Sequence, residues 1–401
     1  VTDLMLIVEE MSSFKTNLFK KSVLFIVLLF FLIGILFSCN NSQEKIFWSP
    51  YKDLNWTEIG YYDAMFHTHP GLGDEQYDPH QTIDRYFDEG YKILTLAGHD
   101  YDIPNEYIAS IYPWTELSQI YEIIKDVENP TEDNKTYAEI ANEPYKNRNP
   151  VELGMISVEG CEVSGPHHMV SLFNSYSDGA DTEPESLQII EKLGGLVYFA
   201  HPGRYVESWG LTEYWYIDLY KRFDVLIGQA IHNRIDSYPE DRVFFDKIVH
   251  VLGAKRPVWL FGEDDMHEET TLGWNRNVIL LEHFEPGSLH PDIQNGAAPD
   301  VKDALKKGYF YLWKPSKQYN KRTFKIKNFD ISDEKVSIEI DNIESVKKIS
   351  WLTYNPNGSE TIVIHNGNNI SIKDLPDYCR FVRIEIEGKD GTIYTQPIYV
   401  K

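Results

Sequence analysis

The sequence predicts an α/β fold, a β/α barrel over residues 56–320, followed by a small all-β sandwich over 321–401. Three observations predict it. Short apolar runs alternate with amphipathic stretches through the first part, the pattern of parallel strands joined by crossover helices. Histidines and acids recur just past the ends of those runs, where a barrel of parallel strands gathers its functional groups. Beyond Arg322 the helix-like stretches stop, and apolar residues alternate with polar ones.

At 401 residues the chain suits one large domain plus a small one. Its composition, 42% hydrophobic and 14% aromatic, fills a large core and argues against widespread disorder. The formal net charge of −24 opposes non-specific nucleic-acid binding, which needs basic surface to displace counterions. Cys39, Cys161 and Cys379 lie too far apart in sequence for a CxxC metal site or a disulfide framework.

The N-terminal segment reads as an export leader. Lys15, Lys20 and Lys21 precede an apolar run over 23–37, short for a membrane span and suited to a signal-peptide core. Met11 is read as its start. The run ends in Leu36-Phe37-Ser38-Cys39, which resembles a bacterial lipoprotein box, with Phe37 bulkier than the usual residue there. That resemblance implies removal of residues 1–38, lipidation of Cys39 and a tether over 39–55. The alternative is an uncleaved N-terminal anchor. Either outcome places the folded part outside the cytoplasm, in the periplasm or at the cell surface.

In chain order, the expected barrel strands are 61–66, 91–96, 154–158, 195–200, 225–228 and 258–261. Helix-like segments fall at 81–89, 117–127, 183–192, 239–252 and 300–307. Two acidic, aromatic-rich insertions, 101–114 and 128–150, have the length of lids or substrate walls. The tail offers strands at 325–330, 335–341, 348–354, 361–364, 380–387 and 392–400. Val336, Ile338 and Ile340 alternate with polar residues, as do Val382, Ile384 and Ile386, and Asn357-Gly358 and Asn366-Gly367 mark tight turns. This is the pattern of an Ig-like β-sandwich.

His67 and His69 are two apart at a strand end, so both point to one face, and Asp265 and His267 share that spacing. His99 and His201 follow two further strands. Imidazoles and carboxylates gathered this way suit Zn²⁺, Mn²⁺ or Fe²⁺ better than Mg²⁺ or Ca²⁺. Glu159 and Glu162 compete for one position, and an odd separation along a strand sends them to opposite faces. The same parity allows only one of His167 and His168 to face the site. His168 heads the apolar pair Met169-Val170 and is preferred. His232, just after a strand, is the remaining histidine with the best claim to a role.

The ordered set resembles the PHP (polymerase and histidinol phosphatase) family of metal-dependent hydrolases. It comprises His67-Thr68-His69 with Asp74, Gly98-His99-Asp100, Gly160-Cys161-Glu162, Ala200-His201-Pro202 and Asp265-Met266-His267. The stretch Ala304 to Tyr311 resembles the family's closing helix, whereas Ala230 stands where the family often has an acid. The resemblance covers about residues 60–315 and implies a distorted seven-stranded β/α barrel with two or three divalent transition metals. It implies one metal position at His67, His69, Glu162 and Asp265. A second would share Glu162 with His168 (or His167) and His201, and a third would use Asp74, His99 and His267. Asp265, His201 and His267 would also serve the chemistry.

Two metals sharing a carboxylate can share a water and lower its pKa enough to give hydroxide near neutral pH, for attack on phosphorus or a carbonyl carbon. A third would stabilise charge on a substrate oxygen. Arg204 and Arg276 are candidates for neutralising a phosphate. The expected activity is phosphoester hydrolysis of a small anionic substrate. The alternatives are hydrolysis of a carboxyl ester, amide or carbamate, and a non-catalytic glycan-binding surface lipoprotein.

Overall fold

Most of the apolar runs fold as strands. A computed structural model of the chain describes residues 45–70, 77, 79–99, 150–174, 176, 180–282 and 299–401. In chain order the strands are β1 (Phe47–Trp48), β2 (Ile59–Met65), β3 (Ile93–Leu94), β4 (Ile156–Ser157), β5 (Gly160–Val163), β6 (Met169–Leu172), β7 (Leu196–Phe199), β8 (Leu226–Asn233), β9 (Trp259–Glu263) and β10 (Arg276–Glu282). There follow β11 (Phe310–Pro315), β12 (Lys325–Ile331), β13 (Lys335–Asp341), β14 (Val346–Asn355), β15 (Glu360–Asn366), β16 (Asn369–Ser371), β17 (Phe381–Gly388), β18 (Gly391–Thr395) and β19 (Ile398–Val400). The longer helices are α1 (Pro79–Asp88), α2 (Glu183–Lys192), α3 (Pro202–Trp209), α4 (Glu213–Arg222), α5 (Asp241–Leu252) and α6 (Pro299–Lys307).

The result is a mixed α/β fold of three sheets. One has eleven strands and runs β1-β19-β17-β18-β11-β10-β2-β3-β4, with β14 and β15 branching from β17. A second runs β5-β6-β7-β8-β9, and the third is β12-β13-β16. Pairing is parallel for β2 with β3, β3 with β4, β7 with β8 and β8 with β9, and antiparallel elsewhere. Two parallel bridges tie the first two sheets together at their ends, Thr68 with Met266 and His99 with Glu162.

Several elements escape the apolar-run pattern. The hairpin β5–β6 is four residues per strand and carries Glu162 and Ser171 at buried positions, so no long apolar run announces it. Helix α3 starts at Pro202 directly after a strand end and is only eight residues long, so no long amphipathic stretch announces it. The end of the family-like stretch Ala304 to Tyr311 is not helical. Gly308, at φ +75°, stops α6 two residues before β11 begins. A Cβ there would also press to 2.9 Å from the Trp259 ring. The expected helix 117–127 and both insertions lie outside the described residues, as do the leader and Cys39.

The tether needs correction from residue 46 on. Phe47 and Trp48 pair with Val400 and Tyr399, Phe47 and Tyr51 are buried, and the Tyr51 hydroxyl donates to the Phe310 carbonyl at 2.8 Å. Ile46–Lys401 form one compact unit. Strands after residue 321 extend the same sheet that carries β2 and β10, with β11 pairing β18. One core lies among β5–β9 and the helices over them. A second fills the space between the large sheet and β12-β13-β16, with Val278, Trp313, Val336, Ile338, Trp351 and Ile384 inside it.

The two parts meet along the free edge of β9. Alternate residues of that edge are paired by side chains instead of a strand. The Tyr399 hydroxyl accepts from Val258 N at 2.9 Å and donates to its carbonyl at 3.2 Å. The Gln396 amide takes Leu260 N at 2.8 Å and gives to its carbonyl at 3.0 Å. Asn277 does the same for Gly262, at 3.0 and 2.7 Å. Nearby, Arg383 holds both oxygens of buried Asp246 at 2.8 and 2.9 Å, joining β17 to α5. Gln396→Met removes both partners of Leu260 and leaves a buried N–H and C=O unmade, each costing about 1–3 kcal/mol. Urea unfolding is expected to register a loss of ~2–5 kcal/mol, and a change below about 1 kcal/mol would contradict the ladder.

Candidate metal centre

The ends of the strands around β2 and β5–β9 are stitched to one another by backbone hydrogen bonds. His67 O accepts from Asp265 N at 3.1 Å, and His69 N donates to Met266 O at 2.9 Å. Ala97 N reaches Thr68 O at 2.9 Å, Glu162 N reaches Gly98 O at 3.1 Å, and Ala200 N reaches His168 O at 3.1 Å. Each of these segments carries residues singled out from the sequence. Backbone pairing therefore brings together side chains that are distant in sequence.

At the centre is Glu162, fully buried on β5. Its Oε1 lies 2.8 Å from His168 Nδ1, 3.2 Å from His67 Nε2 and 3.2 Å from His201 Nε2. Its Oε2 lies 2.9 Å from His99 Nδ1 and 3.5 Å from His69 Nε2. Asp265 Oδ1 stands 3.1 Å from His69 Nε2, 3.6 Å from His67 Nε2 and 3.5 Å from His267 Nδ1. The rings of His69 and His267 stack at 4.1 Å. So His67, His69, His99, Glu162, His168, His201, Asp265 and His267 share one cluster. Asp74 lies outside the described residues.

These donors fall into overlapping groups whose ligand atoms lie within 4.8 Å of one another: His67 with His69 and Asp265, His67 with Glu162 and His201, His99 with Glu162 and His168, and His69 with His99 and His267. The grouping is more interleaved than the expected three sets, since His99 sits beside Glu162 and His168 as well as beside His267. His167 faces the other way. Its Nε2 meets the Tyr216 hydroxyl and its Nδ1 the His168 carbonyl, both at 2.8 Å, among Phe199, Tyr205 and Trp215. Glu159 belongs to none of the donor groups found among the described residues, and burial pushes its carboxyl up to about 7.

The donor set fits a cation better than it fits protons. Nε2 of His67 and Nε2 of His69 confront each other at 3.0 Å, and five imidazoles crowd a single carboxylate. Buried ring nitrogens remain without hydrogen-bond partners, namely His69 Nδ1 and His201 Nδ1. Burial pushes His67 down, yet Glu162, Glu263 and Asp265 outweigh it and hold the ring well above its ordinary pKa. His201 is raised against the same burial by Glu162, Glu263 and Asp265. For Glu162 and Asp265 burial acts upward, and the surrounding imidazoles win and hold both carboxyls well below the usual range. His69 is left neutral, pushed by burial to about 3.

Supporting groups were not singled out from the sequence. Glu263 Oε2 holds His67 Nδ1 at 2.8 Å, which leaves His67 Nε2 facing the cluster. Its other oxygen accepts from His201 N at 2.8 Å and Asn233 Nδ2 at 3.1 Å. Glu263 precedes Asp265 by two residues, so strand parity was the available signal. Backbone strain also gathers here. His201, Arg234 and Asp265 adopt φ of +28°, +52° and +45°, a region that non-glycine residues rarely occupy.

The two arginines proposed for an anion fare differently. Arg204 is exposed beside Tyr205, whose ring lies 6.0 Å from that of His201. Arg276 requires correction. It is buried with Nη1 on Asp63 at 3.1 Å and the Glu89 carbonyl at 2.9 Å, over the Tyr91 ring, so it supports β2 and not a substrate. His232, the other histidine considered, bonds Arg242 and faces Asp236 at 3.2 Å, apart from the cluster.

No family model matches the chain, and no curated protein matches it. Among solved structures it is similar to a two-domain protein containing a predicted PHP-like metal-dependent phosphoesterase from Bacteroides vulgatus. That match has 14% identity and a TM-score of 0.45, and it covers 86% of this chain and 96% of the other. It is also similar to a candidate metal-dependent phosphoesterase from Bifidobacterium adolescentis, at 13% identity, 62% and 96% coverage and a TM-score of 0.33. Both neighbours are thus described as metal-dependent phosphoesterases, and at TM-scores below 0.5 what this site can do follows from its own residues.

Proposed function

We propose that the protein is a metal-dependent phosphoesterase acting on a small anionic substrate at a centre of two or three Zn²⁺, Mn²⁺ or Fe²⁺ ions. The observation that carries this is the convergence of six histidines with Glu162 and Asp265 at one buried point. Imidazoles and carboxylates in that ratio are the donor chemistry of transition metals. The parallel pairs in β2-β3-β4 and β7-β8-β9, with the bridges Thr68–Met266 and His99–Glu162 between their sheets, favour a distorted barrel around it. The leader sequence supports export and anchoring at Cys39, with the catalytic part at 56–320 and the β-sandwich at 321–401.

Metals held there would supply a water acidic enough to give hydroxide near neutral pH and positive charge at the substrate oxygen. The chain's own residues do the rest. Glu162 and Asp265 keep their charge, Glu263 fixes the ring orientation of His67, and burial of the cluster keeps bulk water away from the reacting groups.

Turnover on a panel of aryl phosphate, phosphodiester and carboxyl ester tests the proposal. Phosphoester hydrolysis that chelation abolishes and Mn²⁺ or Zn²⁺ restores is expected, and turnover confined to the carboxyl ester would overturn it. His67→Ala and Asp265→Ala should abolish activity in protein that stays folded, and wild-type rates would contradict the site. Glu263→Gln should be milder, weakening metal binding by ~10–100-fold. An unchanged affinity would remove Glu263 from the account.

Metal entry should also release protons. His67 and His201 are raised, so the metal-free site holds protons near neutral pH that a cation must displace. Calorimetry in buffers of different ionisation heat should therefore show release of about one proton or more per chain at pH 7, with affinity falling as pH falls. Binding without proton release would contradict those shifts.

A further inference from the structure

With Arg276 committed to Asp63 and Glu89, binding an anionic substrate falls to cationic side chains other than Arg276. Arg234 is placed for that task. It directly follows β8, and its backbone is clamped on both sides. Arg234 N donates to Glu263 O at 2.9 Å, and its carbonyl accepts from Asn275 Nδ2 and Lys314 Nζ, both at 3.0 Å. These bonds hold the residue at φ +52°, a conformation that an arginine adopts only under such restraint.

The clamp aims the side chain at the cluster. Arg234 Nε and Nη2 reach Asp265 Oδ2 at 3.1 and 2.9 Å, and Nη2 lies 3.4 Å from His267 Nδ1. Only part of the guanidinium is used in this way. Its side chain is 38% exposed while that of Asp265 is 9%, so the arginine spans from the buried donors to the opening. Tyr238 stands at the same opening, with its ring 6.5 Å from that of His201, and it feels the charges of both Arg204 and Arg234. With Nε and Nη2 on Asp265 Oδ2, the rest of the guanidinium faces outward and can accept a second anion.

We propose that Arg234 anchors the substrate, using its outward N–H donors to bind an oxyanion of phosphate type while its inner ones hold Asp265 Oδ2. This rests on the phosphoesterase reading above and adds to it the residue that selects for negative charge. A guanidinium suits the role because its fork presents several donors at once to phosphate oxygens. Neutral esters have no charge for it to recognise.

The test uses manganese-loaded full-length protein, Arg234→Gln and Arg234→Lys, with inorganic phosphate and an aryl phosphate as probes. Calorimetry should show Arg234→Gln weakening phosphate binding by about tenfold to a hundredfold, the worth of charge-assisted hydrogen bonds. KM for the aryl phosphate should rise similarly, with metal bound per chain unchanged. Arg234→Lys keeps the charge and should recover part of the loss. Unchanged phosphate affinity in Arg234→Gln would overturn the proposal, as would metal loss in step with phosphate loss, which would make the residue a support for Asp265 only. If the wild type hydrolyses no phosphate ester but loses phosphate binding on Arg234→Gln, the phosphoesterase reading fails and the anion site stands.

Discussion

A single carboxylate, that of Glu162, organises the centre of this molecule. It is fully buried, and five imidazoles approach it within 3.5 Å. A buried charge must be compensated by charge or by strong hydrogen bonds, because the interior replaces little of its hydration. The five rings arrive from four chain segments, His67 and His69 sharing one, so compensation at Glu162 requires those segments to end side by side. The backbone bonds between 67 and 265, 68 and 97, 98 and 162, and 168 and 200 meet that requirement. Packing, register and donor chemistry therefore converge on the same atoms.

The strands after residue 321 belong to this account because they complete β9. That strand carries Glu263 and leads into Asp265, and its free edge would otherwise bury unpaired amides. Tyr399, Gln396 and Asn277 replace a neighbouring strand with a ladder of side chains at every second residue. Through them, and through Asp246 with Arg383, the tail fixes the position of the segment that supplies two acids of the centre. The β-rich tail acts as a wall of the part that carries the donor cluster as well as a layer of its own core.

Much of the site was legible because strand parity is a local rule. His67 with His69, and Asp265 with His267, could be paired from spacing alone, and parity also separated His168 from His167. Glu263 obeys the same rule and could have been found with it. Arg276 could not be read correctly, since its partner Asp63 is 213 residues away and nothing local marks the pair. Arg234 lacked any motif, and its importance comes from a backbone conformation fixed by Asn275 and Lys314. The span 46–55 looked like a tether because Phe47 and Tyr51 find their partners at the other end of the chain. Local signals revealed donors well. Long-range pairing decided which charges were already satisfied.

The central claim is the proposed binding of divalent cations by the donor cluster around Glu162. Anomalous diffraction from crystals grown with Mn²⁺ or Zn²⁺, recorded across the metal's absorption edge, addresses it directly. The account predicts at least one strong peak within ligand distance of Glu162 and the imidazoles of the cluster. A fully loaded crystal with no anomalous peak beside Glu162 would contradict it.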